Sequence, residues 1–215
     1  MNRSLSDLRK SYTANSIDET NLPLLPMQLF SQWFQQVTDA GGVDEVNAMT
    51  LSTVDAKGKV WGRVVLLKDI IKDSFVFYTN YESAKSQALF SHPNVSLSFF
   101  WQNLERQVII SGIAKKAPES LSDTYFKSRP RGSQLGAHVS PQSQPIASRQ
   151  VLMDTLESIT KKFEDKEIPR PINWGGIIVE AQQIEFWQGR PDRLHDRISY
   201  AKGNDCLWSL TRLAP

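Results

Sequence analysis

Four stretches of the chain concentrate side chains able to hold an anion or a flat polar ligand. The first is Arg63-Val64-Val65-Leu66-Leu67-Lys68, an apolar run between two cations. An odd spacing on a regular strand sends Arg63 and Lys68 to opposite faces, so they serve two neighbouring anions or simply end a buried strand. The second is Tyr78-Thr79-Asn80-Tyr81-Glu82-Ser83-Ala84-Lys85, where a strand gives way to a polar turn and a helix start. Free N–H groups and the helix dipole favour an anion there. Lys85, locally costly in a first turn, is then explained by charge pairing; the plainer reading is a capped helix with a solvent-facing lysine. The third places Tyr125, Arg129 and Ser133 four residues apart, with Pro130 interrupting any continuous helix. A kinked turn still lets phenol, guanidinium and hydroxyl converge, three donors suited to phosphate, against the alternative of a basic surface loop. The fourth runs from Ile184 to Arg197 and holds Trp187, Arg193, Leu194, His195 and Arg197. Arg193, His195 and Arg197 alternate, so an extended segment aims all three to one side, as a planar anionic ligand requires. Gln107, Gln142 and Ser143 add amide and hydroxyl groups that suit a heterocycle.

No Ser-His-Asp order, carboxylate pair or metal-ligand cluster stands out, so no metal is expected. A site of Arg, Lys, Gln, Ser and aromatics without a nucleophile suits a cofactor that carries the chemistry itself. Neither a GxGxxG nor a GxxxxGK[ST] pattern occurs, which argues against a Rossmann or P-loop nucleotide site. With 25 Lys and Arg against 23 Asp and Glu, the net charge is +2. That balance speaks against bulk nucleic-acid binding and requires any anion site to be a local cluster. The single Cys206 excludes an internal disulfide and a multi-cysteine zinc site. The N-terminal residues lack an apolar signal core, and no apolar run approaches the roughly 20 residues of a membrane span. A soluble cytoplasmic protein is the expectation.

The elements that must position these residues follow from hydrophobic period. At 215 residues and 40% hydrophobic, the chain can bury a sizeable core. Residues 1–22 are polar and read as a mobile arm with a short helix around Leu5–Tyr12; residues 23–215 read as one domain. Phe30, Trp33, Phe34 and Val37 recur at helical spacing over Pro26–Ala40, and Gly41-Gly42 ends that helix. Strands are expected at Ala48–Val54, Val60–Lys68, Ser74–Thr79, Asn94–Trp101 and Glu105–Ala114, with a helix at Ala84–Phe90 capped by Ser83. Helices at Pro118–Lys127 and from Pro145 to Phe163 follow, then strands at Gly175–Phe186 and Cys206–Leu213. Short links between strands predict an antiparallel α+β fold, a small β-barrel decorated by helices.

RVVLLK at 63–68, FYTN at 77–80, LERQV at 104–108, SRPRGSQ at 128–134, GAHVSPQS at 136–143, NWGG at 173–176 and IEFWQG…RLHDR at 184–197 occur in one ordered set. Together with the terminal Arg212-Leu-Ala-Pro215 they resemble the pyridoxamine 5′-phosphate oxidase family from about Leu8 onward. The resemblance implies an FMN-binding split barrel and a homodimer with FMN sites at its interface. It implies oxidation of pyridoxamine or pyridoxine 5′-phosphate to pyridoxal 5′-phosphate, with dioxygen as acceptor and hydrogen peroxide as product. It assigns FMN to Arg63 through Lys68, Tyr78, Thr79, Lys85, Gln107, Gln142, Ser143, Trp187 and Arg197. The substrate phosphate falls to Lys68, Tyr125, Arg129 and Ser133. Arg193, Leu194 and His195 fall beside the substrate, and Arg9 and Tyr12 of the arm close over its ring. Ala84 departs from the family, which often carries an arginine there. A flavin reductase using a nicotinamide and a non-enzymatic FMN- or pyridoxal-phosphate-binding carrier are the rival readings; the phosphate set and the Arg193/His195 pair speak against the first.

Overall fold

The computed structural model describes residues 4, 5, 8 and 10–215. Helix α1 (Pro26–Ala40) is followed by strands β1 (Ala48–Val54), β2 (Val60–Leu66), β3 (Asp69–Ile71) and β4 (Ser74–Asn80). Helix α2 (Ala84–Ser91), β5 (Asn94–Trp101) and β6 (Arg106–Lys116) come next. Then α3 (Glu119–Ser128), α4 (Arg131–Val139), α5 (Arg149–Lys162), β7 (Trp174–Gln188), β8 (Asp196–Lys202) and β9 (Trp208–Leu213) complete the chain. Hydrogen bonds order the strands β2-β1-β5-β6-β7-β4-β3, with β8 on β7 and β9 on β8. The β3–β4, β4–β7, β7–β8 and β8–β9 pairs are antiparallel.

The chain forms two compact units. One takes residues up to Thr50 with Ser96–Gly112 and Ala181–Pro215; the other takes Leu51–Val95 and Ile113–Glu180. In the first unit the apolar stripe of α1 buries Leu29, Phe30, Trp33 and Val37. Phe30 meets Phe99 at 5.3 Å between ring centroids, and Trp33 meets Phe186 edge-on at 5.2 Å. Aromatic pairs at such distances and angles contribute about 0.5–1.5 kcal/mol each beyond area burial. Arg106 lies over the Trp33 ring and donates through Nε to Gln188 Oε1 at 2.9 Å, so a buried cation is satisfied by neutral groups.

In the second unit β4 pairs with the first half of β7, from Ser74↔Glu180 to Asn80↔Trp174. Phe126, Leu135, Phe163, Ile168 and Trp174 form a core under α3, α4 and α5. Two glycines of β7 make this packing possible. A Cβ on Gly175 would collide with the Tyr81 hydroxyl and lie 2.9 Å from Ser122 Oγ; one on Gly176 would lie 2.8 Å from the Ala117 methyl. The Gly176 N–H donates to Ser122 Oγ at 3.0 Å, and its carbonyl accepts from Ala117 N–H at 2.9 Å.

Helix α1 and strands β1 and β5 match the expected bounds. Several expectations are corrected. Helix α4 and strands β3 and β8 had no forecast. The last long helix begins at Arg149, not Pro145, because the extended backbone of Ser148 (φ −164°) interrupts it. Ser83 is the N-cap of α2 by backbone geometry, but its hydroxyl donates to the Asn80 carbonyl at 2.7 Å instead of capping an N–H. Arg193, His195 and Arg197 do not alternate along an extended segment. Pro191–Arg193 is a short 3-10 turn with φ of 56° at Asp192 and 62° at Arg193, and only Arg197 lies in a strand. The expected helix around Leu5–Tyr12 falls partly on residues outside the described set.

Gly175→Ala should therefore destabilise the protein by about 1–3 kcal/mol, as overpacking does, lowering Tm by several degrees. Gly132→Ala, in α4 with open space around its Cα, should be neutral or stabilising by about 0.5–1 kcal/mol. Thermal melts of the two variants check the contrast.

Candidate functional site

Within the second unit, the end of β2, the end of β4, the start of α2 and the α3–α4 hinge surround a cavity of about 460 Å³. Val64, Val65, Leu66, Lys68, Tyr78, Thr79, Lys85, Tyr125, Arg129, Ser133 and Gln142 line it, so eleven of the expected residues share one space. Three cations face it and no carboxylate does among the described residues.

The hinge explains how Tyr125, Arg129 and Ser133 converge. Helix α3 stops at Ser128, Arg129 is extended (φ −70°, ψ 146°), and Pro130 is the N-cap before α4. A proline disfavours a helical residue before it, so it fixes Arg129 out of either helix. The Gln134 amide donates to the carbonyls of Phe126, Lys127 and Arg129 at 3.1–3.2 Å, which satisfies the frayed end of α3. The Arg129 guanidinium lies 4.6 Å from the Trp174 ring centroid, and its Nη1 is buried without a hydrogen-bond partner. Buried donors are nearly always paired, so this orphan marks a place for an acceptor. Tyr78 and Tyr125 stack at 3.8 Å, and both are nearly parallel to Trp174. Burial pushes the Tyr78 hydroxyl up to about 12 and raises that of Tyr125, so both phenols remain donors.

Lys85 projects from the first turn of α2. Its ammonium donates to Gln142 Oε1 at 2.9 Å, Thr79 Oγ1 at 3.0 Å and Ser83 Oγ at 3.2 Å. All three partners are neutral. Burial, then the neighbouring charge of Arg63, lowers its pKa to about 8. Arg63 lies outside the cavity lining and donates to Thr53 Oγ1 at 2.7 Å and the Leu51 carbonyl at 3.1 Å. Leu67 is buried and Ser143 is exposed with φ of 72°; neither lines the cavity. Ala84 is exposed and likewise outside the lining.

The remaining expected residues that the structure describes belong to the first unit. Trp187 and His195 lie 4.7 Å apart between centroids, and Tyr12 meets both edge-on at 5.6 and 5.8 Å. His195 Nδ1 accepts from the Arg190 amide at 3.1 Å, so the proton of the neutral ring sits on Nε2. Arg197 forms a two-point contact with the Glu185 carboxylate at 2.8 and 3.1 Å and donates to the Ala214 carbonyl at 2.8 Å. Gln107 is half-buried in β6, while Arg193 and Leu194 are exposed. Arg9 lies outside the described residues. Asn80, Gly136, Ala137, Ser140 and Trp174 also line the cavity and had no forecast. Trp174 had a visible signal, a large aromatic abutting two glycines.

Residues 40–163 match the family model described as pyridoxamine 5′-phosphate oxidase, and residues 174–215 match the pyridoxine 5′-phosphate oxidase C-terminal dimerisation region. The chain belongs to the pyridoxamine 5′-phosphate oxidase family. It is 54% identical over 99% of its length to the full-length pyridoxine/pyridoxamine 5′-phosphate oxidase of Flavobacterium psychrophilum. It is 49% identical over its full length to all of the protein of that name from Trichormus variabilis. Among solved structures, PhzG from Burkholderia lata, in complex with tetrahydrophenazine-1-carboxylic acid, matches with a TM-score of 0.88 at 26% identity. That match spans 96% of this chain and all of the other. A pyridoxamine 5′-phosphate oxidase-related, FMN-binding protein from Nostoc punctiforme shares the fold, with a TM-score of 0.71 at 14% identity over 90% of this chain and all of that one. The fold class is that of the FMN-binding split barrels, α+β and antiparallel, as the family's members share it.

The donors around the cavity fit a phosphate-bearing flavin. Three cations without a lining carboxylate, an ammonium held only by neutral oxygens and an unpaired buried guanidinium nitrogen all suit anionic oxygens. An anion selects the charged form of Lys85. Affinity of the ligand-free protein for FMN should therefore be full below pH 8 and fall as pH rises through about 8. Lys85→Met should bind FMN more weakly and lose that pH dependence. Fluorescence titrations of wild type and variant between pH 7 and 9.5 check both.

Proposed function

We propose that the chain catalyses FMN-dependent oxidation of pyridoxamine or pyridoxine 5′-phosphate to pyridoxal 5′-phosphate. Dioxygen is the acceptor and hydrogen peroxide the product; the amine substrate also consumes water and releases ammonia. The observation that carries this reading is the cation cluster around the cavity, with one Arg129 nitrogen buried and unpaired. Two phosphates, one on the cofactor and one on the substrate, explain such a cluster in a chain of net charge +2.

Bound FMN supplies a ring that accepts a hydride equivalent from the substrate's C4′ carbon. In this reading Lys85, Arg63, Thr79 and Gln142 hold the cofactor's phosphate side, with Val64, Val65 and Leu66 along it. Lys68, Tyr125, Arg129 and Ser133 hold the substrate phosphate, the Tyr125 phenol, kept protonated by burial, serving as a donor, while the Tyr78 phenol belongs to the cofactor side. Arg193 and His195 orient the substrate. With Nδ1 occupied by the Arg190 amide, His195 presents Nε2 as the group that meets it. The Glu185 carboxylate fixes the Arg197 guanidinium, which together with Trp187 and Gln107 completes the flavin contacts. The match to the dimerisation region supports a homodimer, in which we place the FMN sites at the interface. A cytoplasmic location, the 1–22 arm and a single 23–215 flavin domain belong to the same reading.

The pure protein should be yellow, and pyridoxamine 5′-phosphate added without air should bleach the flavin band; a persistent band would refute the reading. Arg129→Ala should leave FMN content unchanged and weaken substrate binding roughly 10- to 150-fold, the equivalent of about 1.5–3 kcal/mol for a charge-assisted contact. Steady-state KM and the flavin-to-protein absorbance ratio measure the two effects.

A further inference from the structure

Glu105 stands out among the buried charges that the proposed chemistry leaves unused. Its residue is 3% exposed, and its backbone is left-handed (φ 56°, ψ 41°) at the end of the Gln102–Leu104 turn. A glycine adopts that conformation more cheaply, so the side chain is what the position requires. Oε2 accepts from the Thr13 and Ala14 amides at 2.8 and 2.9 Å, and Oε1 pairs with Lys10 Nζ at 2.8 Å. The sequence separation across those amide contacts exceeds ninety residues. The carbonyl of Glu105 in turn accepts from the Gly189 amide at 2.8 Å. One residue thus ties the arm to the end of β7. Between these ties sits Tyr12, packed so closely on Gly189 that a Cβ there would lie 2.7 Å from the ring, with its edges against Trp187 and His195. Burial raises the Glu105 pKa, but the hydrogen bonds from Lys10, Ala14 and Thr13 outweigh it, so the carboxylate stays charged.

We propose that Glu105 is a positioning residue whose carboxylate fastens Lys10–Ala14 and so seats Tyr12 against Gly189, Trp187 and His195. The functional part rests on the reading that Tyr12 and His195 meet the substrate. Lys10 is largely exposed, so the amide contacts, which are shielded, carry more of the fastening than the ion pair. Glu105→Gln keeps an acceptor for the amides and loses the charge; Glu105→Ala loses both.

The test uses the FMN-loaded protein and its Glu105→Ala, Glu105→Gln, Lys10→Met and Tyr12→Ala variants. Hydrogen exchange of a peptide covering residues 10–17 reads the anchor independently of activity. KM and kcat for pyridoxamine 5′-phosphate read its consequence. Exchange at Thr13 and Ala14 should rise about tenfold or more in Glu105→Ala and less in Glu105→Gln and Lys10→Met. KM should rise about fivefold in Glu105→Ala with kcat within about twofold. Unchanged exchange in Glu105→Ala overturns the anchor whatever the kinetics. Faster exchange with unchanged KM overturns the positioning role. Tyr12→Ala then separates the two failures. A raised KM in it leaves the substrate reading standing, and an unchanged KM shows that Tyr12 does not meet the substrate. If Glu105→Ala fails to bind FMN, Glu105→Gln and Lys10→Met carry the same comparison.

Discussion

The constraint behind this structure is the crowding of like charge. Lys68, Lys85 and Arg129 face one cavity, and among the described residues no carboxylate lines it. Desolvation and like-charge repulsion oppose that arrangement, and the depressed pKa of Lys85 reports its burial first and the charge of Arg63, outside the lining, second. The fold tolerates it by supplying neutral partners. Thr79, Ser83 and Gln142 oxygens hold the ammonium, and the Trp174 face carries the guanidinium. Carboxylates in those places would lower the cost of the clustered cations and weaken their hold on an anion.

The surrounding packing serves the same end. The glycine pair at 175–176 lets α3 and Tyr81 close on β7, which brings Tyr125 beside Tyr78 and Trp174 under Arg129. Elsewhere carboxylates are used freely. Glu185 orients Arg197, Asp196 pairs with Arg212, and Glu105 binds the arm. The chain thus keeps its nearly balanced charge while setting apart the cavity, where the partners of Lys85 are neutral.

Period and turn chemistry made much of the fold legible. The stripe of Phe30, Trp33 and Val37 located α1, and alternation located β1 and β5. The α4 helix was hidden because Gly132 and Gly136 have low helix propensity and the apolar positions are few; it is held by Leu135 in the core and by the Gln134 side chain, which ties it to the end of α3. The Arg193–Arg197 segment read as extended because its cations alternate. Left-handed Arg193, and Asp192 just before it, depend on local turn geometry that residue type does not announce. In the site, Tyr125, Arg129 and Ser133 were found by spacing, since a proline kink preserves rough convergence. Trp174 and Glu105 went unassigned because their roles rest on contacts with residues far along the chain.

The position of Arg129 between a helix end and Pro130 bears on the kinetics of capture. The proline ring and the Gln134 cap fix the backbone before any ligand arrives, and the Trp174 face limits the side chain. Little ordering remains to be done at encounter, so an approaching dianion meets a rigid, positively charged funnel instead of a loop that must first fold around it. Association then depends on diffusion and on the long-range field of the cluster, and residence time on the few short contacts made at the bottom.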